Sequence, residues 1–219
     1  MNNLNEWTNT LNYLGGNLSS KDSCGSSKWI DLELFVLTAT IHMGENTRTT
    51  RCFEHWLKLF GPLLSPSKIR RHIEYGETPF NPTLLGVIVG IIQLYDGDKK
   101  KWKILDKWAK KNPSLEKLFS FSLSKHCKNS IYKKWNILHV NFKDEPSKYI
   151  NFKQIARNCP ELKYRIEGRS IIISDLLSFL EKNDDELTFY QIAKIISHDR
   201  SGVKKCFDKN IGLQKTLQI

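Results

Sequence analysis

The stretch FYQIAKIISHDRSGVKKCF, residues 189 to 207, says more about this 219-residue chain than any other segment. Just before it, Thr188 pairs with Gln191 in a T-x-x-Q pattern. Each side chain of such a pair answers the other's backbone N–H, so a helix is predicted to start here. Ile192, Ile195 and Ile196 give that helix an inner face, and Ala193 is small where a second helix must cross closely. Ser197, His198 and Asp199 make a short polar break, with Asp199 suited to cap the second helix. Val203, Cys206 and Phe207 then line the inner face of that helix, leaving Ser201, Lys204, Lys205 and Asp208 pointing outward.

Gln191, Ile192, Ala193, Arg200, Ser201 and Val203 fall in the register Q-I-A-x-x-x-G, short turn, R-S-x-V. The stretch therefore resembles the helix-turn-helix of bacterial transcription regulators. It departs at Ser197, where that family usually has Gly, and at His198, where it usually has a small apolar residue. The resemblance covers about 20 residues, so it names a module. It implies a second helix lying in the major groove of double-stranded DNA, with Arg200, Ser201, Lys204 and Lys205 set for phosphate or base contact. The competing reading is a plain helical hairpin inside a bundle, its lysines solvated.

The opening F-x-Q-I-A-basic occurs 37 residues earlier, at Phe152 to Arg157. The same shift brings Ile166 onto Val203, which suggests tandem modules. Between them lies KYRIEGRSIIIS. Glu167-Gly168 reads as a tight turn, and the β-branched Ile171 to Ile173 as strand. A small β-hairpin over 165–174 would be the wing of the first module, with Lys163, Arg165 and Arg169 as further DNA-binding candidates. SDLLSFLEKN reads as a helix capped by Ser174.

Upstream, residues 29–120 read as a bundle of about five helices. WIDLELFVLTATIHM is apolar nearly all round. Phe53, Trp56, Leu57 and Phe60 form one helical stripe. Ser65-Pro66 to Gly76 and Asn81-Pro82 to Gly97 each show a cap, a proline at the first helical position and a glycine stop. KKKWKILDKWAKKNP is a further helix closed by Asn112 before Pro113. Residues 1–28, rich in Asn, Ser and Gly, read as a flexible arm with room for one short helix. Residues 121–219 read as a tandem winged-helix or helix-turn-helix region, entered through a basic helix and a strand near Ile137 to Phe142. The expected fold class is mainly α, an N-terminal helical bundle followed by one or two winged-helix-like modules.

The net charge is +11, and it is uneven. Residues 1–97 carry 8 basic and 9 acidic side chains, residues 98–136 carry 12 and 3, and residues 137–219 carry 14 and 11. A surplus so clustered favours a polyanionic partner, nucleic acid first and an anionic membrane surface second. Lys100, Lys103, Lys107 and Lys111 share one helix face, with Ile104 at its border. The simplest reading sets Ile104, Leu105 and Trp108 against a core and the lysines in water, and the sharper one makes the lysines a phosphate-tracking stripe. Lys68, Arg70, Arg71 and His72 form a smaller cluster, in which Arg70 and Arg71 could touch a phosphate backbone or an acidic partner, or equally form the solvated face of an amphipathic helix.

Five cysteines with no C-x-x-C argue against zinc fingers and disulfide scaffolds. The N-terminus lacks the basic and apolar regions of a signal peptide, and Leu84 to Tyr95 is about half the length of a membrane span. A cytoplasmic setting is expected. Walker A, G-x-S-x-G and H-E-x-x-H are missing. The acidic trio Asp184 to Glu186 splays apart in a turn, and the neighbours His126 and Cys127 have no third ligand nearby. No catalytic residue, metal or cofactor is expected. The leading expectation is a double-stranded DNA-binding regulator, of the repressor or antitoxin type, whose N-terminal helical domain holds a protein partner or a second copy. The rivals are an adaptor within a defence or toxin–antitoxin complex and an RNA-binding protein using Lys99 to Lys134.

Overall fold

The computed structural model describes residues 4–18, 28–113, 149–183, 185 and 187–209. Among the described residues there are eleven α-helices and no strand. The first six are α1 (Leu4–Tyr13), α2 (Leu32–His42), α3 (Thr47–Phe60), α4 (Pro66–Tyr75), α5 (Pro82–Tyr95) and α6 (Lys103–Lys111). The remaining five are α7 (Phe152–Asn158), α8 (Pro160–Ile166), α9 (Ile171–Leu180), α10 (Phe189–Ile195) and α11 (Arg200–Lys209).

Polar caps set most of these starts. The side chains of Asp31, Asn46, Ser65 and Asn81 accept from N–H groups in the first turns of α2, α3, α4 and α5. Each satisfies donors that a helix leaves open at its N-terminus. Residues 4–13 form the one short helix for which the arm had room, α1, and it is packed rather than loose, with Trp7 and Leu11 wholly buried. The Trp7 ring stacks on Phe35 and meets Phe53 edge-on. Phe35, Phe53 and Trp56 continue the aromatic core. An antiparallel bridge between Gly16 and Ile150 then ties the end of α1 to the start of α7.

α7 and α8 share the helical start of α10 and α11 and only part of its packing. Ile155, Cys159 and Leu162 join the large core of α1 to α6. Ile166 is 54% exposed, whereas Val203, its counterpart in the repeat, is fully buried. The two stretches agree in burying Ile155 and Ile192, and Cys159 and Ile196, and differ at Leu162 against Asp199 and at Ile166 against Val203.

The expected wing is not formed. Arg165 to Ser174 is a corner between two helices. Gly168, at φ +77°, ends α8 in the left-handed region, which a glycine enters without the usual Cβ penalty. Ser170, four residues ahead of the expected Ser174, accepts from the Ile173 N–H and starts α9. Three β-branched residues lower helix propensity by only a few tenths of a kcal/mol each. Burial of Leu176 and Phe179 on the same helix outweighs that cost at about 1.5–3 kcal/mol per large apolar side chain. The expected strand at Ile137 to Phe142, the basic residues from 114 to 134, and His126 and Cys127 lie outside the described residues.

A second, smaller apolar cluster holds Leu176 and Phe179 of α9, Ile192 and Ala193 of α10, Ile196, and Val203 and Phe207 of α11. Trp29 packs on it edge-on to Phe179. Three short helices thereby enclose a core of their own beside the larger one.

The helical corner makes a testable difference. Ser170→Ala should cost about 1 kcal/mol through loss of the cap, read as a lower urea midpoint with an unchanged slope. A hairpin over the same residues would leave stability nearly unaltered.

Candidate nucleic-acid interface

Reciprocal bonds fix the start of α10. The Thr188 N–H donates to Gln191 Oε1 at 2.8 Å, and the Gln191 N–H donates to Thr188 Oγ1 at 3.3 Å. The helix closes with the His198 N–H on the Ala193 carbonyl and the Ser197 N–H on the Lys194 carbonyl. That bond pair needs a left-handed residue between helix and turn, and Ser197 takes the position at φ 55°. Asp199 caps α11 by accepting from the Gly202 N–H at 2.9 Å. A Cβ on Gly202 would lie 2.6 Å from an Asp199 carboxylate oxygen, so this cap depends on the missing side chain.

The inner faces meet largely as the spacing predicts. Ile192, Ala193, Ile196, Val203 and Phe207 are buried, and the Phe189 and Phe207 rings meet edge-on at 4.9 Å. Ile195 differs from expectation: it is 44% exposed. Outward lie Arg200, Ser201, Lys204 and Lys205, all exposed on α11. Exposed Tyr190 and Lys194, one helical turn apart on α10, were not singled out by sequence.

The remaining candidates are spread over other elements. Lys163 and Arg169 are exposed, each over the ring of Tyr164, and Arg169 also pairs with Glu167 at 3.1 Å. Lys100, Lys103 and Lys107 are exposed on the 3-10 turn Lys99–Trp102 and on α6. Ile104, expected in the core, stands 60% exposed among them. Lys101 turns away to Asp96 and the Pro62 carbonyl. α6 packs against α5, while α11 packs against α9 and α10, so the two basic faces have separate supports.

Arg165 is not a surface residue. Its guanidinium is buried, 2.6 and 2.9 Å from the two oxygens of Glu33 and 2.6 Å from Asp175. It belongs to a closed ionic cluster at the junction of the two apolar cores. Buried Lys68 of α4 sits 2.6 Å from Asp175, 2.8 Å from Asp31 and 3.5 Å from Glu33. His72, one turn along α4, pairs with Asp31 at 3.2 Å and with Glu77. Asp175 also accepts His198 Nε2 at 3.0 Å. The cluster therefore reaches into the turn between α10 and α11. Arg71 reaches it too, donating to the Ser197 carbonyl. The signals were faint: a lone Asp inside IIISDLLSFL, and a His where the resemblance expects a small apolar residue.

Electrostatics inside the cluster oppose burial. Burial alone would raise the Asp175 carboxyl, but Arg165 and Lys68 beside it hold it well below the usual carboxylate range. Asp31 is lowered likewise, against burial, by Lys68 and His72. For His72 burial works downward, and Asp31 and Glu77 raise it nonetheless.

No protein-family model, curated protein or solved structure matches this chain. Among the described residues no helix is long and apolar enough to cross a membrane, and no group of three His, Cys, Asp or Glu is placed to hold a metal ion.

These shifts give stability a defined pH profile. The raised His72 contributes fully below its ordinary value of about 6.5, and its share is lost as pH rises through the folded value. The lowered Asp31 and Asp175 contribute above about 3.9, and their share is lost as pH falls toward their folded values. Melting temperature should therefore be highest between about pH 4 and 6.5 as far as these groups decide it. His72→Gln should lose most of its deficit against wild type on the alkaline side. Separately, Arg165→Ala leaves buried Glu33 and Asp175 sharing Lys68 as their cation and should cost about 3 kcal/mol in urea unfolding.

Proposed function

We propose that this protein binds double-stranded DNA, with α11 as the helix presented to the major groove and the phosphate backbone as its main contact. The observation that carries the reading is the outer face of α11. Arg200, Ser201, Lys204 and Lys205 are exposed together, on a helix oriented by a short capped turn and a three-helix core. The resemblance of the same residues to bacterial regulators supports it, and implies a regulatory role of the repressor or antitoxin type.

The distribution of charge adds a second support. Among the described residues the buried set holds five acidic side chains, Asp31, Glu33, Asp96, Glu161 and Asp175, against two basic ones, Lys68 and Arg165. Folding withdraws more negative than positive charge from the surface. On the described surface basic side chains are therefore in surplus, which favours close approach of a polyanion. In this reading Lys100, Lys103 and Lys107 strengthen binding without reading sequence, since lysines act mainly on phosphates. The buried carboxylates and lysine are enclosed and mutually paired, so the reading gives them a docking role and no catalytic one.

Binding to a random duplex across a salt series tests this. Counterion release makes log K fall linearly with log salt, by about 0.9 per phosphate neutralised. Lys204→Ala/Lys205→Ala should weaken binding and flatten the slope by about one unit for each phosphate no longer neutralised. An unchanged slope moves the DNA-binding face to α6. A shallow response to salt, with tight binding to a protein instead, would favour the adaptor reading.

A further inference from the structure

The turn between α10 and α11 contains the strained residue of the described chain. Ser197 is the one described residue other than glycine with a positive φ. A side chain in the left-handed region costs roughly 1–2 kcal/mol, so something outside the turn has to hold it. Two side chains do so. Arg71, from α4 in the bundle, donates to the Ser197 carbonyl. Asp175, from α9, holds the His198 ring. Asp175 is itself fixed by Lys68 and Arg165. Arg71 is only half-buried, so one edge of this clamp faces solvent.

We infer that Arg71 is a positioning residue for DNA binding: through the Ser197 carbonyl, the N-terminal bundle sets the angle at which α11 is presented. The inference rests on the reading of α11 as the DNA-facing helix. It gives Arg71 a role that differs from each of those its sequence context suggests, since it neither touches phosphate nor merely rests in water. Its neighbour Arg70 shows the contrast. Arg70 is exposed and pairs with Glu74 on its own helix.

The distinction between positioning and direct phosphate binding is measurable. Arg71→Ala should weaken binding to a random duplex about tenfold, the scale of one charge-assisted hydrogen bond. The salt slope should stay unchanged, because the same number of phosphates is neutralised. Ser197→Gly removes the strain that Arg71 opposes, since glycine takes this conformation freely. In a Ser197→Gly background, Arg71→Ala should therefore cost little affinity. Hydrogen exchange gives a readout independent of DNA. Arg71→Ala should speed exchange at the His198 and Val203 amides, and Ser197→Gly should restore their protection. A slope lowered by about one unit would make Arg71 a phosphate ligand and overturn the inference. Unchanged affinity or unchanged exchange would overturn it as well. Should wild-type protein bind no duplex, the DNA reading fails by itself, and the exchange experiment still decides whether Arg71 holds the turn.

Discussion

The structure depends on a buried cluster of charge. Asp31, Glu33 and Asp175 face Lys68 and Arg165, with His72 at one margin and His198 at another. These residues come from α4, α8, α9, the start of α2 and the turn before α11. Taking so many charges out of water costs several kcal/mol per ion, and their mutual attraction offsets this only when the geometry is right. An apolar seam would tolerate sliding. A seam of bidentate and shared ion pairs accepts one arrangement, and so fixes how the three C-terminal helices sit on the bundle.

The polar cluster also explains why there are two apolar cores. Leu162 ends the larger one and Leu176 begins the smaller. Between them the chain places Arg165 and Asp175, one on each side of the corner at Gly168. Glu161 makes a second junction of the same kind. It accepts from Tyr13 Oη, the Ile30 N–H and Lys182 Nζ, and so joins α1, the entry to α2 and the end of α9. Hydrogen bonding and charge decide the relative placement of the helices, while apolar burial supplies the driving force within each core.

Helix starts were the most legible feature of the sequence. Ser65-Pro66, Asn81-Pro82 and Thr188 with Gln191 each act through local bonds, and local bonds are written in neighbouring residues. The features that sequence missed depended on distant partners. Ile171 to Ile173 have strand-like propensity, and only the cap at Ser170 and the burial of Leu176 and Phe179 turn them helical. Ile166 matches Val203 in the repeat, but the surface available to each differs, and no spacing rule reveals that. Arg165 looked like a surface cation because nothing near it in sequence shows that Glu33, 132 residues away, would enclose it. The exposed face of α11 was legible because helical periodicity alone separates Val203 and Phe207 from Lys204 and Lys205. Arg71 as a support for Ser197 was not, since the two meet only in the folded chain.

Ser197 has a consequence for the order of assembly. A glycine at that position would let residues 188–209 form their turn early, from local preference alone. Serine makes the left-handed conformation unfavourable until α4 and α9 are in place to bind its carbonyl and the next ring. α10 and α11 can each nucleate on their own caps, but the angle between them is settled only on docking. The segment with the most recognisable sequence thus depends on distant side chains for the geometry of its turn. Its turn is completed by contacts from α4 and α9 rather than by local preference alone.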